Sequence, residues 1–246
     1  MDHAHDHGHA GHGHSHAGLP ADGGALRVVA LSSLILGVVA ALELTAAAIS
    51  SSAGVLADGL HNLGDVSTTL ALAIAFILSR RAPTRRFPYG YHRGEDVAGL
   101  VVLALIVASA VVSGVTSLEH LLHPPALTNI GLALIVAGGG FFGNEAAAQY
   151  KIRAGNRLHS TALIVDGRHS RMDGLASLGA VVGLAGAAFG VPVLDPVAGM
   201  VITVIIAVVA WETGRTVTGR LLDEADASLV ATIEEVARGV SGIIDV

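Results

Sequence analysis

The sequence predicts an all-α membrane protein, a six-transmembrane-helix bundle with both termini in the cytoplasm and a truncated C-terminal cytoplasmic segment. Three observations predict it. Hydrophobic residues make up 52% of the 246 residues and charged residues only 14%, against about 25% charged in an ordinary soluble domain. Six apolar stretches, at 27–49, 54–78, 96–118, 129–149, 160–189 and 193–213, each approach or exceed the roughly 20 residues needed to cross about 30 Å of hydrocarbon. Among the connections between them, Lys and Arg fall in alternate ones only.

That last pattern sets the orientation. Arg80, Arg81, Arg85, Arg86 and Arg93 lie between the second and third stretches, and Lys151, Arg153 and Arg157 between the fourth and fifth. Arg27 stands at the very start of the first stretch, and Arg215 and Arg220 follow the sixth. The other three connections hold no Lys or Arg. Positive residues are retained on the cytoplasmic side, so both basic connections and both termini belong there. An even number of spans agrees.

Three regions follow. Residues 1–24 form a polar tail with seven histidines, His3, His5, His7, His9, His12, His14 and His16. Such a composition cannot bury a core and reads as disordered; the imidazoles either collect metal near the cytoplasmic mouth or are inert in solvent. Residues 25–213 are the six-helix transmembrane domain. Residues 214–246 read as the start of an incomplete cytoplasmic domain, with an amphipathic helix at Ser228–Arg238 and the beginning of a strand at Ile243–Val246.

Composition also excludes chemistry. With no Cys, thiolate metal sites, disulfides and cysteine nucleophiles are absent, and any metal site uses His and carboxylate. The formal net charge of −6 gives no reason to expect a nucleic-acid partner. The 31 glycines suit close packing of membrane helices.

The chemistry-bearing residues repeat. The second stretch contains Asp58-Gly-Leu-His61-Asn-Leu-Gly-Asp65 and the fifth Asp166-Gly-Arg-His169-Ser-Arg-Met-Asp173. Spacings of i, i+3 and i+7 put each triplet on one helical face. Each ionisable residue inside a membrane helix costs a few kcal/mol or more, so six on two matched faces need one explanation. A bound divalent cation supplies it, because carboxylate and neutral imidazole then have a partner in place of water. Four ligands, His61, Asp65, His169 and Asp173, suit a tetrahedral ion such as Zn²⁺. Imidazole disfavours Mg²⁺ and Ca²⁺, whereas Co²⁺, Cd²⁺, Fe²⁺ and, least readily, Mn²⁺ fit the donor set. Asp58 and Asp166 either join the ligands, hydrogen-bond the ligating histidines or cap the entrance. The bland alternative is a polar network that only holds helices together.

At these residues the sequence resembles the cation diffusion facilitator family of zinc-transporter-type metal–proton antiporters. Ala57–Asp65 resembles that family's second-helix motif and Asp166–Ser177 its fifth-helix motif; Phe87–Glu95 resembles the segment leading into its third helix. The resemblance implies a homodimer in the cell membrane and efflux of cytoplasmic zinc in exchange for protons. It places the transport site on His61, Asp65, His169 and Asp173, with no enzymatic role and no organic cofactor. The family's C-terminal cytoplasmic domain is matched here only at its opening. Two other readings compete. A membrane metal sensor or scaffold would bind without transport. An intramembrane metallohydrolase needs an open zinc position and a general base, and the sequence has no His-Glu-x-x-His.

Further residues carry paired readings. Glu43, deep in the first stretch, either lines the metal or proton path or pairs with a polar neighbour. Asn144 and Glu145 face a cytoplasmic cavity or form a solvated pair at a helix end. Arg168 and Arg171 belong in a cytoplasmic vestibule, repelling cations or pairing with Asp58, Asp166 or Glu145. His92 and Glu95 read as interfacial or as a weak second metal site, His120 and His123 as external loop residues or a weak release site, and His159 as interfacial.

Overall fold

The computed structural model describes residues 23–79, 84, 87–88, 94–222, 224–225 and 227–239. The histidine-rich tail, the arginines at 80, 81, 85, 86 and 93, His92, the side chain of Glu95 and the strand at Ile243–Val246 lie outside the described residues. Every element among the described residues is a helix: α1 (Gly23–Ser50), α2 (Ala53–Ser79), α3 (Gly94–Leu122), α4 (Ile130–Arg157), α5 (Thr161–Ala188), α6 (Leu194–Leu221) and α7 (Ala227–Arg238).

Small side chains point inward and large apolar ones outward. On α1 the buried positions Leu36, Ala40, Glu43, Ala47 and Ser50 follow the three-to-four spacing of one face, while Leu34, Val38 and Leu42 on the other stay exposed. Across the bundle Ile135, Phe142, Trp211 and Phe189 are 70% or more exposed. A water-soluble protein hides such residues; helices in lipid bury small and polar ones against each other instead. Four helices are long and apolar enough to cross a membrane: Arg27–Ser50, Asp96–Leu122, Ile130–Arg157 and Leu194–Leu221. α2 and α5, of similar length, carry the polar triplets.

α2 is central, packing against α1, α3, α5 and α6; α4 closes the bundle by packing on α1 and α5. One apolar cluster, Ala46, Ala47, Val55, Ala133, Ala137 and Leu184, joins α1, α2, α4 and α5. A second, Ala57, Val102, Ile106, Ala180, Ile202 and Ile206, joins α2, α3, α5 and α6. Between α3 and α6, the Ser113 and Thr203 hydroxyls are 2.6 Å apart and hydrogen-bonded.

The ends of the bundle differ. At the end where α1 finishes, Ile49 and Ser50 carbonyls accept from Thr128 and Asn129 ahead of α4. At that same end Ser52 caps α2, its Oγ accepting from Val55 N at 3.1 Å. The fully buried Asp195 at the start of α6 reaches across, accepting from Ser52 Oγ at 2.5 Å and Ala53 N at 2.8 Å. This places negative charge at a helix N-terminus, where first-turn N–H groups have no intrahelical acceptor. The close approach depends on Gly199, where a Cβ would stand 2.9 Å from Ala53 O. The opposite end bears Arg27, Arg153, Arg157, Arg215 and Arg220.

Helices run past the apolar stretches that announce them. α4 continues to Arg157 rather than ending near 149, and α6 to Leu221 rather than 213. The basic connection expected at 150–159 is therefore largely helix, because backbone hydrogen bonding does not stop where hydropathy falls. α7 covers the amphipathic segment expected at Ser228–Arg238, with Ile233 and Val236 exposed.

Asp195→Ala removes two buried charge-assisted hydrogen bonds. It is expected to lower stability by about 1–3 kcal/mol while leaving helical content intact, as read by thermal unfolding in detergent.

Candidate metal centre

The Ser52 and Asp195 cap fixes where α2 starts, and so which residues face inward. Asp58, His61 and Asn62 are buried and Asp65 half-buried. α5 is capped by Ser160, whose Oγ accepts from Leu163 N at 3.4 Å. It lies unusually close to α4: a Cβ on Gly167 would stand 2.9 Å from Ala148 O and 3.0 Å from Ile152 N. That approach brings Asp173 into the interior beside α2.

His61, Asp65 and Asp173 converge, each offering a ligand atom within 4.8 Å of the others. His61 Nε2 lies 3.3 Å from Asp173 Oδ1 and 3.9 Å from Asp65 Oδ2. Two donors each about 2.0–2.1 Å from a tetrahedral zinc ion stand about 3.3 Å apart, so small side-chain adjustments suffice to enclose one. His169 sits at the edge, half-exposed, with Nε2 3.9 Å from Asp173 Oδ1. A cavity of about 10 Å³ borders His61 and Asp65 on the α3 side, lined also by Leu60, Gly64, Ile106 and Ser109; that is room for one water.

The outer members of the two triplets diverge. Asp58 is fully buried, outside the three-residue group, and neither of its oxygens has a hydrogen-bond partner. Asp166 pairs with Lys151, whose Nζ is 2.9 Å from Asp166 Oδ2 and 3.0 Å from Ser170 Oγ. Arg171 makes a two-pronged pair with Glu145, at 3.0 and 2.9 Å, so of the partners open to it in sequence Glu145 is the one it takes. Arg168 is exposed. With Lys151, the one lysine of the sequence, engaged by Asp166 and Ser170, the three-residue group carries up to two negative charges from Asp65 and Asp173, which one divalent cation would cancel.

A chain of amides and hydroxyls adjoins the group on the α1 and α4 side. Asn62 Nδ2 donates to Glu43 Oε2 at 2.7 Å. Asn144 Nδ2 reaches Asn62 Oδ1 at 3.3 Å and Ser177 Oγ at 3.4 Å, and Ser177 Oγ donates to Asp173 O at 3.4 Å. Asn144 is thus interior rather than facing a cavity at a helix end. Asn62, Ser177 and Lys151 are not metal-ligand residue types in the paired spacing, although an amide or ammonium on an apolar helix is itself a signal of buried pairing. At the other end His123 is exposed, and His120 lines a small cavity with Asp195, Pro124 and Pro196. His159 is exposed with a left-handed φ of 50°.

Comparison with known proteins agrees with this architecture. Residues 29–222 match the family described as the cation efflux transmembrane domain. A probable cation efflux system protein of Mycobacterium tuberculosis is 38% identical over 218 residues, covering 89% of this chain and 66% of that protein. The chain therefore spans slightly less than two-thirds of that relative's length. The manganese efflux system protein MneS of Bacillus subtilis is 24% identical over 206 residues, covering 84% of this chain and 71% of its own. Magnetosome protein MamB of Magnetospirillum gryphiswaldense is 26% identical over 194 residues, covering 76% and 64%.

Asp166 and Asp173 separate by environment. Asp173→Ala is expected to abolish tight zinc binding in calorimetric titration. Asp166→Ala should retain binding but lower stability by about 1–2 kcal/mol, because it leaves the buried Lys151 ammonium with a hydroxyl alone.

Proposed function

Since the chain belongs to the cation diffusion facilitator family, whose members are transporters rather than enzymes, we propose that it exports zinc from the cytoplasm in exchange for protons. The observation that carries this reading is the convergence of His61 and Asp65 from α2 with Asp173 from α5. His169, 3.9 Å from Asp173, completes a tetrahedral set when its ring turns inward.

Several features support the details. Six helices of 27 to 29 residues are each long enough to span, and the triplet of α2 together with Asp173 of α5 is shielded by neighbours. The clustering of Arg and Lys at one end favours cytoplasmic termini in the cell membrane. The site then lies between a basic cytoplasmic end and an outer end without Lys or Arg, and rocking of helices would expose it to each side in turn. The homodimer rests on family resemblance alone. The histidine tail would gather zinc at the cytoplasmic mouth.

Proton exchange follows from the ligands. Imidazole and carboxylate bind metal only when deprotonated, so protons and metal compete for the same atoms. Affinity rises with pH and falls as the ligands protonate, and outward-facing acid would discharge the ion. A manganese reading is favoured by the name of one relative, but two imidazoles suit zinc better than manganese.

Two measurements test this. Asp173→Ala is expected to abolish zinc/proton exchange in proteoliposomes while eluting and unfolding like wild type; exchange at the wild-type rate would overturn the site. Competition binding at fixed pH should favour Zn²⁺ over Mn²⁺ by at least about tenfold, with zinc affinity falling as pH is lowered. A reversed order would assign manganese as the substrate, and binding without flux would make the protein a sensor.

A further inference from the structure

Glu43 and Asp58 are fully buried, yet neither belongs to the cation-binding group. Glu43 packs on α2 at Gly59, the residue after Asp58, and the two carboxyls bear on each other. Glu43 Oε1 and both Asp58 oxygens have no partner at hydrogen-bonding geometry, although the Ser177 hydroxyl lies beside Asp58; Glu43 Oε2 is served by Asn62. The charged or titratable groups bearing on Glu43 are Asp58 and His61 of α2, and α4 brings the Gly140 backbone against its carboxyl. Those bearing on Asp58 are Glu43 of α1, His61 of its own helix and Asp173 of α5, with Ser177 beside it. No lysine or arginine is among them.

Two facing carboxylates in an apolar bundle, with no cation and too few donors, cannot both stay ionised. One proton on the pair removes a charge and turns an acceptor–acceptor clash into a hydrogen bond. The position is built for this. A Cβ on Gly140 would collide with Glu43 Oε1, and one on Gly59 would press on Glu43 Cβ at 3.1 Å. Two glycines thus hold the carboxyl against the backbone of α2 and α4.

We infer that Glu43 and Asp58 form a proton-binding site of their own, outside the metal ligands and coupled to them. Glu43 precedes the end of α1 by two turns, and Asp58 lies between His61 and the start of α2. The pair therefore stands between the cation group and the end of the bundle without Lys or Arg. It rests on the exchange reading above for its role: arrival of a divalent cation beside His61 favours the doubly ionised pair, the O–H bond breaks and one proton leaves to water. When the cation departs, one proton returns to a carboxylate oxygen. Asn62, joining Glu43 to the ligand-bearing face of α2, keeps the two sites in register.

The test counts protons. Zinc binding to the detergent-solubilised full chain is titrated in two buffers of different ionisation enthalpy, which yields protons released per ion. In Glu43→Gln the amide donates to Asp58 in place of the shared proton, so zinc still binds and release falls by about one proton. Asp58→Asn should do the same, and serves if the first variant does not fold. Unchanged release in a variant that binds zinc would overturn the proposal. Metal-free infrared spectra give a second readout: a carboxylic-acid C=O band at neutral pH, present in wild type and lost in Glu43→Gln, supports the pair, and its absence from wild type overturns it. Failure of wild-type exchange in liposomes would sink the transport reading instead, since neither readout requires flux.

Discussion

A carboxylate inside an apolar helix bundle must find a cation, a proton or hydrogen-bond donors, and the interior of this protein is organised by how each one does so. Asp195 finds donors in Ser52 and Ala53. Asp166 finds Lys151. Asp65 and Asp173 share His61 and lack a full set of partners, which leaves them open to a divalent ion. Glu43 and Asp58 face each other. The apolar clusters on either side of α2 are built largely from alanine and isoleucine, and they do little but exclude the water that would otherwise solve the problem.

The helices themselves were legible because each apolar stretch exceeds the length that a membrane requires. Their ends were not: Lys151 and Arg157 read as loop residues, although α4 continues through them, since a helix can leave the apolar zone without breaking. α1's inner face is marked by Ala40, Glu43 and Ala47, but mean hydropathy is blind to it, because the outer face is equally apolar.

The cation group was legible for a different reason. His61, Asp65 and Asp173 are polar residues where polarity is costly, on matched spacings in two helices. The fates of Asp58 and Asp166 were not, because equivalent places in a motif say nothing of what stands opposite. Asp166 lies across from Lys151, Asp58 across from Glu43, and only the rotation of α4 and α1 decides that. Arg171 likewise had three acidic partners open to it, and its bond to Glu145 depends on the close α4–α5 approach at Gly167.

That approach divides the molecule mechanically. α4 and α5 are held backbone to backbone at Gly155 and Gly167, like two boards nailed together, and α2 is pinned to α6 at the Asp195 cap. The ligands straddle the joint: His61 and Asp65 ride on one piece, His169 and Asp173 on the other. The two pieces also touch near that cap, where Gly183 of α5 lies against Leu194 O of α6, so movement along the joint is a swing about that end, and it changes the cross-joint ligand distances together. A pinned helix swings most at its free end, so the travel is largest at the arginine-bearing end and smallest at the cap. The coordination shell is thereby the most displacement-sensitive part of a bundle whose halves are otherwise stiff.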